Sequence, residues 1–278
     1  MRTIFKAERL TKVYRLGSFA RSITIRALND IDLTIESDDP VIISIVGESG
    51  SGKTTLAKVV LQLLQPTSGS VIIQDHVVAG KGAMSRKSEF LRMVQPIFQN
   101  SFEAFSRYRP IDSYLYETAT RVQKLGRSAA IGAMEDALTA VGLTYRDVHG
   151  KYSNQFSGGE LQRVSIARAL IPHPSLIVAD EPVSMIDASR RMLIINLFRQ
   201  LKEQYRTSFL YITHDLATAY YISDYIAVMS KGTVVEFGKA KGVLSNPQHE
   251  YTRLLLDSIP RLDQKWVRPA NEFASAVP

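Results

Sequence analysis

The chain has 278 residues, 45% hydrophobic and 22% charged, close to the averages of globular domains, so a packed core is expected and disorder is not. A net charge of +7 suits anionic partners such as nucleotides, nucleic acid or acidic lipid headgroups, although the basic residues are spread along the chain and also serve solubility. The absence of cysteine excludes disulfides, thiolate metal sites and cysteine nucleophiles, and the best apolar run, Val41 to Val46, contains Ser44 and falls far short of the about 20 residues a membrane span needs.

The first residues carry no apolar stretch of signal-peptide length, so any membrane role is expected to come through another subunit. Ile4 to Ala7 and Ile23 to Leu28 alternate as strands. Val41 to Val46 is a β-branched run stopped by a glycine loop, which predicts a strand buried on both faces. Thr54 to Leu64 has helical periodicity and ends before Pro66, and residues 71–78 read as another strand. From about 111 to 170 the texture turns helical, with helices expected over Tyr114 to Leu125, Ala129 to Val141 and Glu160 to Leu170. Leu176 to Ala179 and Phe209 to Ile212 return as short apolar strands around a helix from Arg190 to Tyr205. Strands alternating with helices imply a parallel α/β sheet. Ile226 to Met229 and Thr233 to Phe237, split by Ser230-Lys231-Gly232, suggest a hairpin, and one short helix is expected after Pro247.

Gly47-Glu48-Ser49-Gly50-Ser51-Gly52-Lys53-Thr54, followed by Thr55, fits G-x-x-x-x-G-K-[ST] at every fixed position, with a strand before it and a helix after it. Glycines let backbone N–H groups turn inward around phosphate without a Cβ clash, and the helix adds its positive N-terminal end. Lys53 supplies a compact charge and Thr54 a hydroxyl for Mg²⁺. Ser175 to Ala179 leads into Asp180 and Glu181, two acids at the end of a strand. In a parallel sheet that end faces the ligand crevice, so Asp180 suits Mg²⁺ and Glu181 suits taking a proton from water. Taken alone, the same residues are equally a strand followed by an acidic helix start. Ser157-Gly158-Gly159-Glu160 precedes another helix and makes a second helix-end anion site, although Ser-Gly-Gly is also an ordinary loop and N-cap. A single ATP uses both helix ends only by lying between two chains.

Phe156-Ser157-Gly158-Gly159-Glu160-Leu161-Gln162-Arg163 resembles the LSGGQ-x-QR signature of ATP-binding-cassette (ABC) ATPases, with Phe for Leu and Glu for Gln. The resemblance covers about residues 3–260 and implies further roles. Tyr14 matches the aromatic that stacks on adenine, with a surface aromatic as the alternative. Gln99 matches the glutamine that senses Mg²⁺ and the attacking water. Ser184 to Asp187 resembles the loop that crosses to the partner chain, and His214 matches the histidine that contacts the γ-phosphate. It also implies a P-loop NTPase core of RecA-like, mainly parallel sheet with an antiparallel β subdomain and an α-helical insert.

Asn246-Pro247-Gln248-His249-Glu250-Tyr251-Thr252-Arg253-Leu254-Leu255, with Pro260 beyond it, is similar to the tail of oligopeptide/dipeptide-type importer ATPases, usually NP-x-HPYT-x-x-LL. Glu250 stands where Pro is usual. The segment after Gln99 departs from the group's QDP-x-x-SLNP, and the cysteine-rich tail of some members is absent. The resemblance implies an ATPase domain over 1–245 with a helical subdomain at about 101–170, and a C-terminal tail over 246–278. It further implies ATP and Mg²⁺, a second ATPase subunit (a heterodimer favoured over a homodimer), two transmembrane permease subunits and, indirectly, an extracytoplasmic solute-binding protein. Nucleic acid is not expected, and the location expected is the cytoplasmic face of the membrane. Relatives of this group import oligopeptides, oligosaccharides or nickel. The rival reading is a non-transport ABC ATPase acting on nucleic acid or protein complexes. A P-loop kinase or GTPase has less support, since no N/T-K-x-D motif is present.

Overall fold

The computed structural model describes residues 1–18 and 21–258. Two sheets organise them. The first is antiparallel, in the order β2-β1-β4-β5, built from β1 (Arg2–Ser18), β2 (Arg21–Ser37), β4 (Ser68–Ile73) and β5 (His76–Ala79). The second has six strands in the order β10-β9-β3-β8-β7-β6: β3 (Ile42–Val46), β6 (Val94–Ile97), β7 (Leu176–Asp180), β8 (Ser208–Thr213), β9 (Tyr225–Ser230) and β10 (Thr233–Lys239). Its pairings are parallel except for the β9–β10 hairpin. The expected P-loop-type α/β fold with an antiparallel β layer and a helical insert is therefore present.

All five residues of β3 are buried, as an apolar run covered on both faces requires. Ile43 and Ile45 join one core with helix α1 (Lys53–Val60) and the antiparallel sheet, while Ile42 joins a second core with the helical block. That block lies between β6 and β7: α2 (Lys87–Met93) precedes β6, and α3 (Ser101–Ala104), α4 (Ile111–Glu117), α5 (Arg127–Ala140), α6 (Tyr145–Val148) and α7 (Gly158–Leu170) follow it. Helices α8 (Ala188–Tyr205), α9 (Leu216–Ile222), α10 (Ala240–Ser245) and α11 (Glu250–Asp257) complete the described chain. Among the described residues no helix is long and apolar enough to cross a membrane.

Several elements differ from their sequence expectation. The strand expected over 71–78 is two strands, because Gln74 and Asp75 both take left-handed φ values, 48° and 66°, and turn the chain into a hairpin. Helix α1 stops at Val60 rather than Leu64, since Gln62 adopts φ 55° and the N–H groups of Leu63 and Leu64 close back on the Lys58 carbonyl. The helix expected from Tyr114 starts at Ile111, behind Pro110, and widens into a π-turn over Thr118–Val122. There the Thr118 hydroxyl donates to the Tyr114 carbonyl at 2.9 Å, competing with the helical ladder. Pro260 and the rest of the tail beyond 258 lie outside the described residues.

Candidate functional site

The fold brings the carboxyl ends of β3, β6, β7 and β8 to one edge of the sheet, and the phosphate-loop residues, Gln99, Asp180, Glu181 and His214 collect there. Gly47 follows β3 with φ 152°, and an added Cβ would lie 2.2 Å from the Met229 carbonyl oxygen, so only glycine lets the loop pass β9. At Gly52 (φ 106°) a Cβ would meet the Ala27 carbonyl oxygen at 2.5 Å. Among the described residues the N–H groups of Ser49, Gly50 and Gly52 donate to no other backbone or side-chain group, whereas that of Ser51 donates to the Glu48 carbonyl at 3.2 Å. The loop thus offers unpaired donors at the start of α1, the arrangement that holds anions.

Lys53 is buried and folds back over the loop. Its Nζ donates to the carbonyls of Gly47 (2.7 Å) and Glu48 (2.8 Å) and to Ser51 Oγ (3.4 Å). Burial pulls its ammonium below the ordinary lysine range, against the opposing pull of Glu181, Asp180 and Glu48. Asp180, the last residue of β7, carries a buried Oδ1 with no hydrogen-bond partner among the described residues. Burial and then the Glu181 carboxylate push it above the usual carboxylate range, opposed by the Thr54 hydroxyl and Lys53.

Glu181 joins the site's strands. Its φ of 45° is left-handed, a strained value for glutamate, and its N–H donates to the Ile212 carbonyl of β8 at 2.9 Å. Its carboxylate then receives Gln99 Nε2 at 3.2 Å on one oxygen and lies 3.1 Å from His214 Nδ1 on the other. Gln99 comes just after β6 and His214 just after β8, so three strand ends converge on one carboxylate. These three side chains, Ser49, Gly50, Gly52, Lys53, Thr54 and Thr55 line one cleft of about 610 Å³ with the β2 residues Ile25 to Ala27 and Lys231. Tyr14 does not line it, although its strand partner Ile25 does, and Lys12 Nζ lies 5.4 Å from the Tyr14 ring centre.

Ser157 to Glu160 stand elsewhere. Ser157 caps α7 in a capping box: its hydroxyl accepts the Glu160 N–H at 3.4 Å, while the Glu160 carboxylate receives the Ser157 hydroxyl at 2.6 Å and N–H at 2.9 Å. Those hydrogen bonds hold the Glu160 carboxyl below its usual range despite some burial. Ser157, Gly159 and Glu160 border, with Arg163, Arg190 and Leu193, a second cleft of about 680 Å³ that shares no lining residue with the first. Asp187 is exposed at the N-cap of α8, and its carbonyl accepts the N–H groups of Arg190 and Arg191. The sequence reading missed two contributors to the first cleft, the β2 backbone at Ile25 to Ala27 and Lys231, because both reach it by folding rather than by neighbouring the loop in sequence.

The chain is similar to known proteins along most of its length. Residues 28–184 match the family model described as ABC transporter, and residues 235–278 match that of the oligopeptide/dipeptide transporter C-terminal region. The chain is 34% identical to the di/tripeptide transport ATP-binding protein DppF of Pseudomonas aeruginosa (strain UCBPP-PA14), over 100% of this chain and 85% of that protein. It is 37% identical to the oligopeptide transport ATP-binding protein OppD of Mycobacterium tuberculosis (strain ATCC 25618 / H37Rv), over 94% of this chain but 42% of OppD, so it spans less than half of that relative. The dimeric post-hydrolysis structure of the ATP-binding cassette MJ0796, bound to ADP and Pi, superposes with a TM-score of 0.72 at 26% identity, covering 85% of this chain and 99% of that one. With the family model spanning more than half of its length and DppF aligned along all of it, the chain belongs to the ABC transporter family, as one of its ATP-binding, ATP-hydrolysing subunits.

Proposed function

We propose that this chain is the nucleotide-binding subunit of an importer and powers uptake of oligopeptides, or of a related solute such as an oligosaccharide or nickel, through partner membrane subunits. The similarity to the transport proteins DppF and OppD and the match of the tail to the oligopeptide/dipeptide region support the peptide assignment. The observation that carries the ATPase chemistry is the convergence of Gln99, Glu181 and His214 beside the phosphate loop.

The unpaired loop N–H groups of Ser49, Gly50 and Gly52 bind the phosphates, and Lys53 exchanges a carbonyl partner for a β- or γ-phosphate oxygen. Tyr14 stacks on adenine from the strand pair that borders the cleft. Glu181 accepts the proton of the attacking water, which His214 and Gln99 position; each carboxylate oxygen keeps a lone pair beyond the hydrogen bond it already accepts. The residues present fit Mg²⁺. Asp180 keeps a buried, unpartnered oxygen, Thr54 adds a hydroxyl, and Gln99 donates through its nitrogen and leaves its carbonyl oxygen free. Among the described residues no group of three or more His, Asp or Glu side chains is placed to hold a metal ion by itself, and Mg²⁺ characteristically takes few protein ligands beside phosphates and water. Asp180, Thr54 and Gln99 would hold the ion, which would supply positive charge against the negative charge that develops during phosphoryl transfer.

Ser157, Gly158 and Gly159 act in trans on the γ-phosphate of a second ATPase subunit, with Glu160 releasing Ser157 as the anion arrives, and Asp187 lies in the loop that crosses between subunits. The separation of the two clefts within one chain supports this division. The full assembly adds two permease subunits and, outside, a solute-binding protein, with the chain on the cytoplasmic face of the membrane and a heterodimer favoured. Residues 1–245 then form the ATPase domain, with the helical subdomain at 101–170 facing the permeases and 246–278 as the tail. Glu181→Gln tests the chemistry. Hydrolysis is expected to fall by about 100-fold or more while ATP binding is retained, the loss typical of removing a general base. Turnover within about twofold of wild type would remove Glu181 from its role.

A further inference from the structure

The phosphate loop is held from behind at two points. At the first, the Gly232 N–H in the β9–β10 turn donates to the Ser51 carbonyl at 2.9 Å. At the second, the Glu48 N–H donates to the Tyr251 hydroxyl at 3.0 Å, across 203 residues of sequence. Tyr251 belongs to the first turn of α11, after the last strand of the cassette. Of the loop's N–H groups, that of Glu48 is therefore turned out toward the tail, while its neighbours Ser49 and Gly50 keep theirs unpaired.

The tail helix is built to hold that hydroxyl still. The Glu236 carboxylate in β10 accepts the N–H groups of Gln248 (2.8 Å) and His249 (3.0 Å). Burial alone would raise the Glu236 carboxyl, but these hydrogen bonds outweigh it and hold the group below its usual range. Arg253 donates to the carbonyls of Pro247 (3.0 Å) and Gln248 (3.2 Å), and His249 Nδ1 accepts the Tyr251 N–H at 3.1 Å. Thr252 is fully buried, and Tyr251 and Leu255 pack on the core cluster that contains Val46, the residue before Gly47. One hydrophobic contact and one hydrogen bond thus join α11 to both ends of the strand-to-loop transition.

We infer that Tyr251 is a positioning residue for ATP binding: its hydroxyl fixes the Glu48 peptide so that the following N–H groups of the loop stay aimed into the phosphate cradle. Preorganised donors cost nothing to orient when the anion arrives, and a free Glu48 peptide samples other orientations. The inference rests on the reading that this loop binds ATP. Because Glu48 is exposed, water replaces the lost partner in a phenylalanine variant, so the penalty is one modest hydrogen bond rather than a buried orphan.

The test uses the full chain, with titration of mant-ATP for affinity and steady-state hydrolysis for KM and kcat. Tyr251→Phe is expected to raise the mant-ATP Kd and the KM by roughly fivefold, the worth of one such hydrogen bond, with kcat within about twofold and the nucleotide-free melting temperature within about 2 °C. Glu236→Gln is expected to raise Kd in the wild-type background and to add nothing in the Tyr251→Phe background. An unchanged Kd and KM in Tyr251→Phe, or a rise that only tracks a lost melting temperature, overturns the proposal, as does full additivity of the two substitutions. Lys53→Ala separates the two layers. If it binds mant-ATP like wild type, the ATP-site reading itself fails; if it loses binding while Tyr251→Phe does not weaken it, only the role of Tyr251 falls.

Discussion

Asp180 is the residue at which stability and function pull in opposite directions. Its carboxyl is raised by burial and by Glu181, so in the nucleotide-free chain the charged form is disfavoured. A carboxyl raised in the folded state contributes stability that is present at acid pH and lost as pH climbs through its raised pKa. Asp180→Asn is therefore expected to stabilise the nucleotide-free chain near neutral pH, read as a higher Tm, and to weaken Mg²⁺-dependent ATP hydrolysis. Thermal melts with chelator from acid to neutral pH check the sign: the gap between variant and wild type opens as pH rises and closes at acid pH, and a less stable variant at neutral pH refutes it. The acids and the glycine loop were legible because each is contiguous and its chemistry is local. Tyr251 was not, because its contact with Glu48 exists only once β9, β10 and α11 have folded beside the loop.

At the scale of elements, α8 carries much of the support beneath the site. Phe198 is fully buried and packs edge-on against Phe209, 5.3 Å between ring centres, and Tyr211 at 5.9 Å, both on β8, the strand that leads to His214. Phe198→Ala is expected to cost about 3–5 kcal/mol, read as a lower urea midpoint at an unchanged slope. A loss under about 1 kcal/mol would mean that α8 is not seated on β8 in this way. The length and apolar periodicity of α8 made it readable, as did the uninterrupted runs of β3, β7 and β8. Strand β6 escaped because Pro96 reads as a breaker within a four-residue segment. It survives at the sheet edge, where among the described strands it pairs with β7 alone and an edge position tolerates proline. Helix α9 escaped for want of length; its start is set by Asp215, whose carboxylate accepts the N–H groups of Ala217 and Thr218.

For the whole molecule the decisive feature is that the two helix ends proposed to bind phosphate, those of α1 and α7, open into different clefts. On the proposed reading each cleft alone is incomplete: the phosphate loop lacks the Ser157 donors, and the α7 tip is capped by the Glu160 carboxylate on Ser157. A lone chain should therefore bind ATP but turn it over slowly. Turnover per chain is expected to rise and saturate as a second ATPase subunit is titrated in, another copy or a different chain, while the mant-ATP Kd of the isolated chain stays constant on dilution. Ser157→Arg sharpens the separation, because it leaves ATP binding by its own phosphate loop within about twofold of wild type and removes the gain in turnover that the variant confers on a partner's site. A rate per chain independent of any second subunit, or loss of ATP binding by the isolated Ser157→Arg chain, would place both helix ends in one intramolecular site and end the two-subunit reading.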